Sequence, residues 1–288
     1  MQAVVADAFA TTSIRIGDLA WLMRDHTHRE LSLDISLWED RDGRLIGWTY
    51  FRSNGEFNFL VAPGFVDKSL VDEMLTTVDE AWEAQIGAGD PPVVLSTYGI
   101  DRDRSEQDRV AAEALQRHGF EPFEQGGALV RSLDDVPDPA LPPGYRLGFV
   151  RENDDVIGRV EAQRAAFTRS RLTLQTYERV RSAWPYRAEL DRVVKADDGA
   201  IVAFCTAWID DQNASGLLEP VGSHPAHRRR GLAKAACLDA LLALRNAGSR
   251  TAQVGYETDA ALATYRSIGF EPRWHEMSFR RPVSHPMT

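Results

Sequence analysis

The residues best suited to chemistry lie in one stretch, Glu219-Pro220-Val221-Gly222-Ser223-His224-Pro225-Ala226-His227-Arg228-Arg229-Arg230-Gly231-Leu232-Ala233-Lys234. It reads as a strand, a short loop and the start of a helix. The first amides of a helix lack partners within it and sit at the positive end of its dipole, so they bind phosphate and pyrophosphate. Gly231 has no side chain and lets the backbone approach such a ligand. Arg228, Arg229 and Arg230 add charge and forked donors. The spacing fits neither a Gly-x-x-x-x-Gly-Lys-Ser/Thr phosphate loop nor a Gly-x-Gly-x-x-Gly dinucleotide turn. Three arginines in a turn read equally as a solvated basic surface, so the surrounding elements must decide.

Those elements are mixed α/β, and their order occurs twice. Leu60-Val61-Ala62-Pro63 precedes a helical run and, later, His118-Gly119-Phe120-Glu121-Pro122. Gly222-Ser223-His224-Pro225 precedes a helical run and Ile268-Gly269-Phe270-Glu271-Pro272. In the first half, Leu33 to Trp38 alternates as a strand, Arg41-Asp42-Gly43 turns, and Leu45 to Phe51 returns. Val71, Met74, Leu75, Val78 and Trp82 form a helical stripe. In the second half, Arg192 to Lys195 and Ile201 to Phe204 flank an Asp198-Gly199 turn. Ala235, Leu238, Leu241, Leu242 and Arg245 mark a helix that stops at Gly248. Residues 154–190 read as helical, interrupted at Trp184-Pro185. Their aromatic residues Phe167, Tyr177, Trp184 and Tyr186 fit core packing or the side of a cleft. The proline-rich run Asp134 to Gly144 reads as a linker. The expected domains are therefore 1–133 and 145–288, joined by 134–144.

Composition narrows the field. The 288 residues, 43% hydrophobic, suffice for two small cores. A net charge of −10 opposes nucleic-acid binding and suits a cationic small molecule. No apolar run is long enough to span a membrane, and Met1 to Thr12 has no basic residue of the kind a secretory signal carries. The two cysteines, Cys205 and Cys237, read as core residues of a cytoplasmic protein, and no His/Cys spacing suggests a metal.

With its surroundings, Arg228-Arg229-Arg230-Gly231-Leu232-Ala233 resembles motif A of the GNAT acetyltransferases, Gln/Arg-x-x-Gly-x-Gly/Ala. A strand, Ala252 to Tyr256, and Ala260 to Phe270, similar to the family's closing helix with its Tyr-x-x-x-Gly-Phe signature, follow in the family's order. The tandem arrangement is also similar to that of the mycothiol synthases. The resemblance implies two tandem GNAT-like domains, each a splayed mixed sheet flanked by helices. It implies acetyl-CoA in the gap of the second. There Val221, Gly222 and Ser223 would pair with the pantetheine arm, and the Arg228 to Lys234 segment, with Leu232 and Ala233, would hold the pyrophosphate. Thr258, where the family usually has Asn, and Ala261 would flank the far side.

The implied reaction is acetyl transfer to a primary amine of a small-molecule acceptor. Tyr265 stands at the family's general-acid position. Glu219 is the first candidate base, with Glu257 and His224 behind it. The first half departs from the motif. Val66 replaces the first arginine, Ser69 the glycine and Val71 the small residue, Asp67 opposes a phosphate, and Leu115 stands where Tyr265 stands. It reads as a degenerate domain that shapes or stabilises the second. A CoA-binding sensor without catalysis, and a binder of another phosphorylated ligand, are the competing classes. The sequence leaves monomer or homodimer open.

Overall fold

A computed structural model describes residues 1–22, 35–51, 55–85, 93–96, 100–101, 104–151, 154–168 and 170–282. In chain order the elements are α1 (Gln2–Asp7), α2 (Ile16–Leu22), β1 (Ile35–Glu39), β2 (Leu45–Phe51), β3 (Glu56–Val61), α3 (Lys68–Gln85), β4 (Val93–Ser96), α4 (Glu106–Arg117) and β5 (Glu121–Ser132). Then come β6 (Tyr145–Phe149), α5 (Asp154–Ala166), α6 (Leu174–Ser182), β7 (Asp191–Ala196), β8 (Ile201–Asp210), β9 (Ser215–Ser223), α7 (Leu232–Asn246), β10 (Thr251–Tyr256), α8 (Asp259–Arg266) and β11 (Glu271–Pro282). Leu33 and Asp34 of the expected first strand lie outside the described residues.

The chain forms two compact units: Met1–Arg15, His28–Ala128 and Trp274–Thr288 make the first, and Ile16–Thr27 with Leu129–Arg273 the second. The division falls inside β5 and not at the proline-rich run. That run carries Val136, which is buried, and Leu141, which packs on the second unit's core. Arg131 ties it down, donating to the carbonyls of Ser132 (2.8 Å), Asp135 and Ile268. Proline removes donors there, but apolar side chains still gain from leaving water.

In the first unit β1, β2 and β3 are antiparallel neighbours. Asp40 Oδ1 shapes the β1–β2 turn by accepting from the amides of Asp42 and Arg44 (2.9 and 3.0 Å). Among the described residues β3 pairs in parallel with β4 only at Glu56–Leu95 and Phe57–Ser96. The core holds Phe57, Met74, Leu75, Val78, Leu115, Phe120 and Phe279, so the helical stripe of α3 faces inward. Large apolar side chains buried in this way each contribute roughly 1.5–3 kcal/mol.

In the second unit β6, β7, β8 and β9 run antiparallel, β9 and β10 parallel. β8 is buried along its whole length, as a central strand covered on both faces requires. The helix expected over 154–190 breaks earlier than Trp184-Pro185. α5 ends at Ala166 and α6 starts at Leu174. Thr173 forms a reciprocal capping box with Thr176, and that local hydroxyl chemistry sets the boundary. Among the described residues no helix is long and apolar enough to cross a membrane.

Candidate active site

The site forms where β9 leaves β10. Their ladder ends at Leu217–Gln253, yet β9 runs on to Ser223 and β10 to Tyr256. On its other side β9 stays paired with β8, through Cys205–Val221, Phe204–Gly222 and Ala203–Ser223. Among the described residues, backbone groups of Val221 to Ser223 that face away from β8 therefore meet no strand. Pro220 supplies no amide there at all. Gly222 has a packing reason as well: a Cβ on it would fall 2.3 Å from Phe204 Cζ.

Phe204 in turn covers the Arg159 guanidinium at 3.8 Å. Arg159 is fully buried and bonds Asp191 (3.2 Å), Gln163 (2.8 Å) and Thr206 (3.0 Å). Tyr177 and Tyr186 donate to the same aspartate. Removing one partner from such a pair leaves an uncompensated buried charge, at a cost of about 3–5 kcal/mol. Phe204 links this network to β9, since its ring lies against both Arg159 and Gly222. Of the aromatic residues on 154–190, Tyr177 and Tyr186 belong to the network, while Phe167 and Trp184 are exposed.

Beyond β9 the chain makes a 3₁₀ turn, Pro225–His227, capped by His224, whose Nδ1 accepts from the Ala226 amide (3.2 Å). That bond ties the His224 imidazole to the turn. Arg229 and Gly231 then adopt left-handed backbone, φ 61° and 77°, on either side of Arg230. Such reversals turn successive amides toward one point. Gly231 caps α7 without a side-chain bond. Among the described residues the amides of Arg229 to Lys234 donate to no protein acceptor; the first internal bond is Ala235 N to Gly231 O (2.9 Å). A row of free donors at a helix N-terminus suits a pyrophosphate.

The three arginines do not act alike. Arg228 donates to the carbonyls of Ala166 (3.1 Å) and Ser223 (3.5 Å). Arg230 donates to the Tyr145 hydroxyl (2.6 Å), which also hydrogen-bonds His227 Nδ1 (3.0 Å). Both arginines pin the loop, while Arg229 makes no such bond among the described residues. Lys234 reaches the Ser267 carbonyl (3.2 Å). A cavity of about 660 Å³ flanks the loop, but Asp154, Glu161 and Asp198 line it, a poor setting for phosphate.

On the far side, Thr258 caps α8 by accepting from the Ala261 amide (3.2 Å), so these two site residues bond each other. Tyr265 packs edge-on against Phe270, ring centroids 6.0 Å apart. Burial, and then the neighbouring Cys237, Cys205 and Glu219, hold its hydroxyl well above the usual phenol pKa. The two cysteines are buried free thiols. Glu219 is raised from the ordinary carboxyl value by burial, with a further push from Glu257 that a hydrogen bond with Asp18 opposes. Glu219 therefore stands near enough to feel the charge of Glu257 and to act on Tyr265. The structure adds Asp18 and Tyr145, which sequence reasoning passed over because nothing near them in the chain marks a site.

Residues 160–270 match the sequence pattern of the Acetyltransferase (GNAT) family. A search of curated proteins found no match. The fold is similar to that of a GCN5-related N-acetyltransferase from Sphaerobacter thermophilus, with a TM-score of 0.69 and 19% identity over 98% of this chain and 92% of that one. It is also similar to a tandem GNAT protein from the clavulanic acid biosynthesis pathway, with a TM-score of 0.66 and 17% identity over 99% and 94% of the two chains. A glucosamine N-acetyltransferase region in a fungal multi-domain GH3 β-N-acetylglucosaminidase aligns with a TM-score of 0.61 and 17% identity, over 96% of this chain and 36% of that one. At these identities the likeness is one of fold.

Proposed function

With a domain of the acetyltransferase (GNAT) family over residues 160–270, we propose that the second unit binds acetyl-CoA and transfers its acetyl group to a primary amine of a small molecule. The observation that carries this reading is the open edge of β9 beyond Leu217, running directly into a helix N-terminus with a row of unpaired amides. An extended, amide-bearing arm that ends in a pyrophosphate fits both halves of that feature. A cytoplasmic setting would keep Cys205 and Cys237 reduced.

Acetyl-CoA supplies an activated thioester carbonyl. The edge of β9 and the amides of Arg229 to Lys234 orient it, and holding both reactants in one cleft lowers the entropic barrier. Glu219 accepts a proton from the acceptor nitrogen. Backbone donors in the gap meet the charge that develops on the carbonyl oxygen. Tyr265 keeps its proton at neutral pH, because its pKa is raised, and in this reading gives it to the departing sulfur.

The test is thiol release from acetyl-CoA with a panel of amines, followed across pH. Glu219 works as a base only when ionised, and burial raises its pKa. Activity should thus fall as pH drops through a midpoint above the ordinary glutamate value, and Glu219→Gln should lose that limb. Acetyl-CoA binding without turnover would assign a sensing role. Absence of binding would remove both.

A further inference from the structure

The phosphate loop is held from two sides. Toward α5, Arg228 donates to the carbonyls of Ala166 and Ser223. Toward the edge strand β6, Arg230 Nη1 donates to the Tyr145 hydroxyl at 2.6 Å. Between these anchors Arg229 takes left-handed backbone, φ 61°. A residue with a side chain is strained there and keeps that shape only where its neighbours enforce it.

The donors and acceptors at Tyr145 fix the direction of the chain of bonds. A guanidinium can only donate, so Arg230 uses a lone pair of the phenol oxygen. The hydroxyl proton then has one acceptor among the described residues, His227 Nδ1 at 3.0 Å. Nδ1 accepts only as a bare nitrogen, so the run from Arg230 through Tyr145 to His227 requires a neutral imidazole with its proton on Nε2. A hydroxyl that accepts from a cation donates more strongly, so the two bonds support each other. The rings also meet edge-on, centroids 5.9 Å apart. A proton on Nδ1 undoes this arrangement. The hydroxyl proton loses its acceptor, and two cations converge on one oxygen.

Charged groups face His227 from each neighbouring element. It lines the cavity of about 660 Å³ together with Asp154 and Glu161 of α5 and Asp198 of the β7–β8 turn, whose carboxylates favour an imidazolium. Arg230, and Arg228 beside it in the chain, oppose one. His224 stands edge-on at 5.6 Å, its own Nδ1 taken by the Ala226 amide.

We propose that Tyr145 is a positioning residue for the phosphate loop, and that it holds the loop in shape for acetyl-CoA only while His227 is neutral. This rests on the acetyl-CoA reading above. Acid then loosens the loop by breaking a hydrogen bond, apart from any attraction between an imidazolium and a phosphate. That attraction acts on native and Tyr145→Phe chains alike, so the ratio of their affinities isolates the tie.

The experiment is calorimetric titration with acetyl-CoA at about pH 8 and about pH 5, a range over which imidazoles ordinarily take up a proton. Tyr145→Phe keeps the ring that packs on the second unit's core and removes only the hydroxyl. It should bind about fivefold more weakly than the native chain at the higher pH, and within about twofold of it at the lower. In a His227→Asn background the carboxamide oxygen can accept at the same distance along the side chain and takes up no proton. There the penalty of about fivefold should persist at both pH values. In an Arg230→Met background, which has no donor, Tyr145→Phe should cost nothing further at either pH. Equal affinity of native and Tyr145→Phe chains at the higher pH overturns the proposal. So does a penalty that is the same at both pH values with His227 in place, or one that disappears in acid with His227→Asn. Failure of the native chain to bind acetyl-CoA at either pH overturns the reading beneath it instead.

Discussion

The two units turn the same corner in opposite ways. After β3 the chain reaches α3 through Asp67, whose carboxylate accepts from the amides of Ser69 (2.8 Å) and Leu70 (3.3 Å) and from the Ser69 hydroxyl. After β9 it reaches α7 through Gly231, which offers no side chain and leaves the amides free. An aspartate at an N-cap is an anion built into the chain, and it satisfies the donors that an external phosphate would use. The strand edges differ likewise. Beside Asn58, Phe59 and Leu60, the unit's own Thr12 to Ile14 leave a cavity of only about 30 Å³. Leu60 stands where the repeat has Gly222, and the buried Leu115 where it has Tyr265. Yet both units close their helix the same way: Phe120 N bonds Leu115 O (2.9 Å) and Phe270 N bonds Tyr265 O (3.2 Å), each after a left-handed glycine. The fold survives on these closures and on the core. The proposed chemistry depends on a few positions that can change without disturbing either.

The comparison can be sharpened by making the second unit resemble the first. Tyr265→Phe should lower turnover about 100-fold, within the range general acid catalysis supplies, and leave acetyl-CoA affinity within twofold. An unchanged rate in a single-turnover assay would show that the two units do not differ in this respect. Gly231→Val places a β-branched residue at φ 77°, with open space around it, so backbone hand and not packing resists the change. The expected loss of acetyl-CoA affinity is about 30-fold by calorimetry. Gly222→Ala drives a methyl into Phe204 and should destabilise the second unit by about 1–3 kcal/mol in a denaturant titration. The smallest effect concerns the first unit. Asp67→Ala uncaps α3 and should slightly lower its melting temperature. Hydrogen bonds with Ser69 lower the Asp67 pKa, so this stabilisation is present above the unfolded carboxyl pKa and is lost as pH falls through the lowered one. The native and variant melting curves should therefore converge in acid.

Much of this was legible in the chain. The positions of α3 and α7 follow from apolar spacing, the β1–β2 turn from Asp and Gly, and the doubled closure from Gly-Phe-Glu-Pro. The loop before α7 was readable because a glycine stands just ahead of the helical run and because arginines cluster there. What the arginines do was not readable. Arg228 and Arg230 find partners at Ala166 and Tyr145, which the sequence places far away. The Arg159–Asp191 network was equally hidden, since an arginine in a helix with many polar residues reads as surface. Asp18 could not be assigned because no local pattern tells which sheet a short helix near the N-terminus will cover. Spacing within an element survives into the fold; pairing between distant elements is decided by packing.

The most direct test of the contrast between the units is calorimetric titration of the native chain, Gly231→Val and Asp67→Ala with acetyl-CoA. One equivalent should bind to the native chain and to Asp67→Ala, and binding should weaken about 30-fold in Gly231→Val. No binding by the native chain, two equivalents per chain, or one equivalent held unchanged by Gly231→Val would contradict the assignment of the cofactor site to the second unit alone.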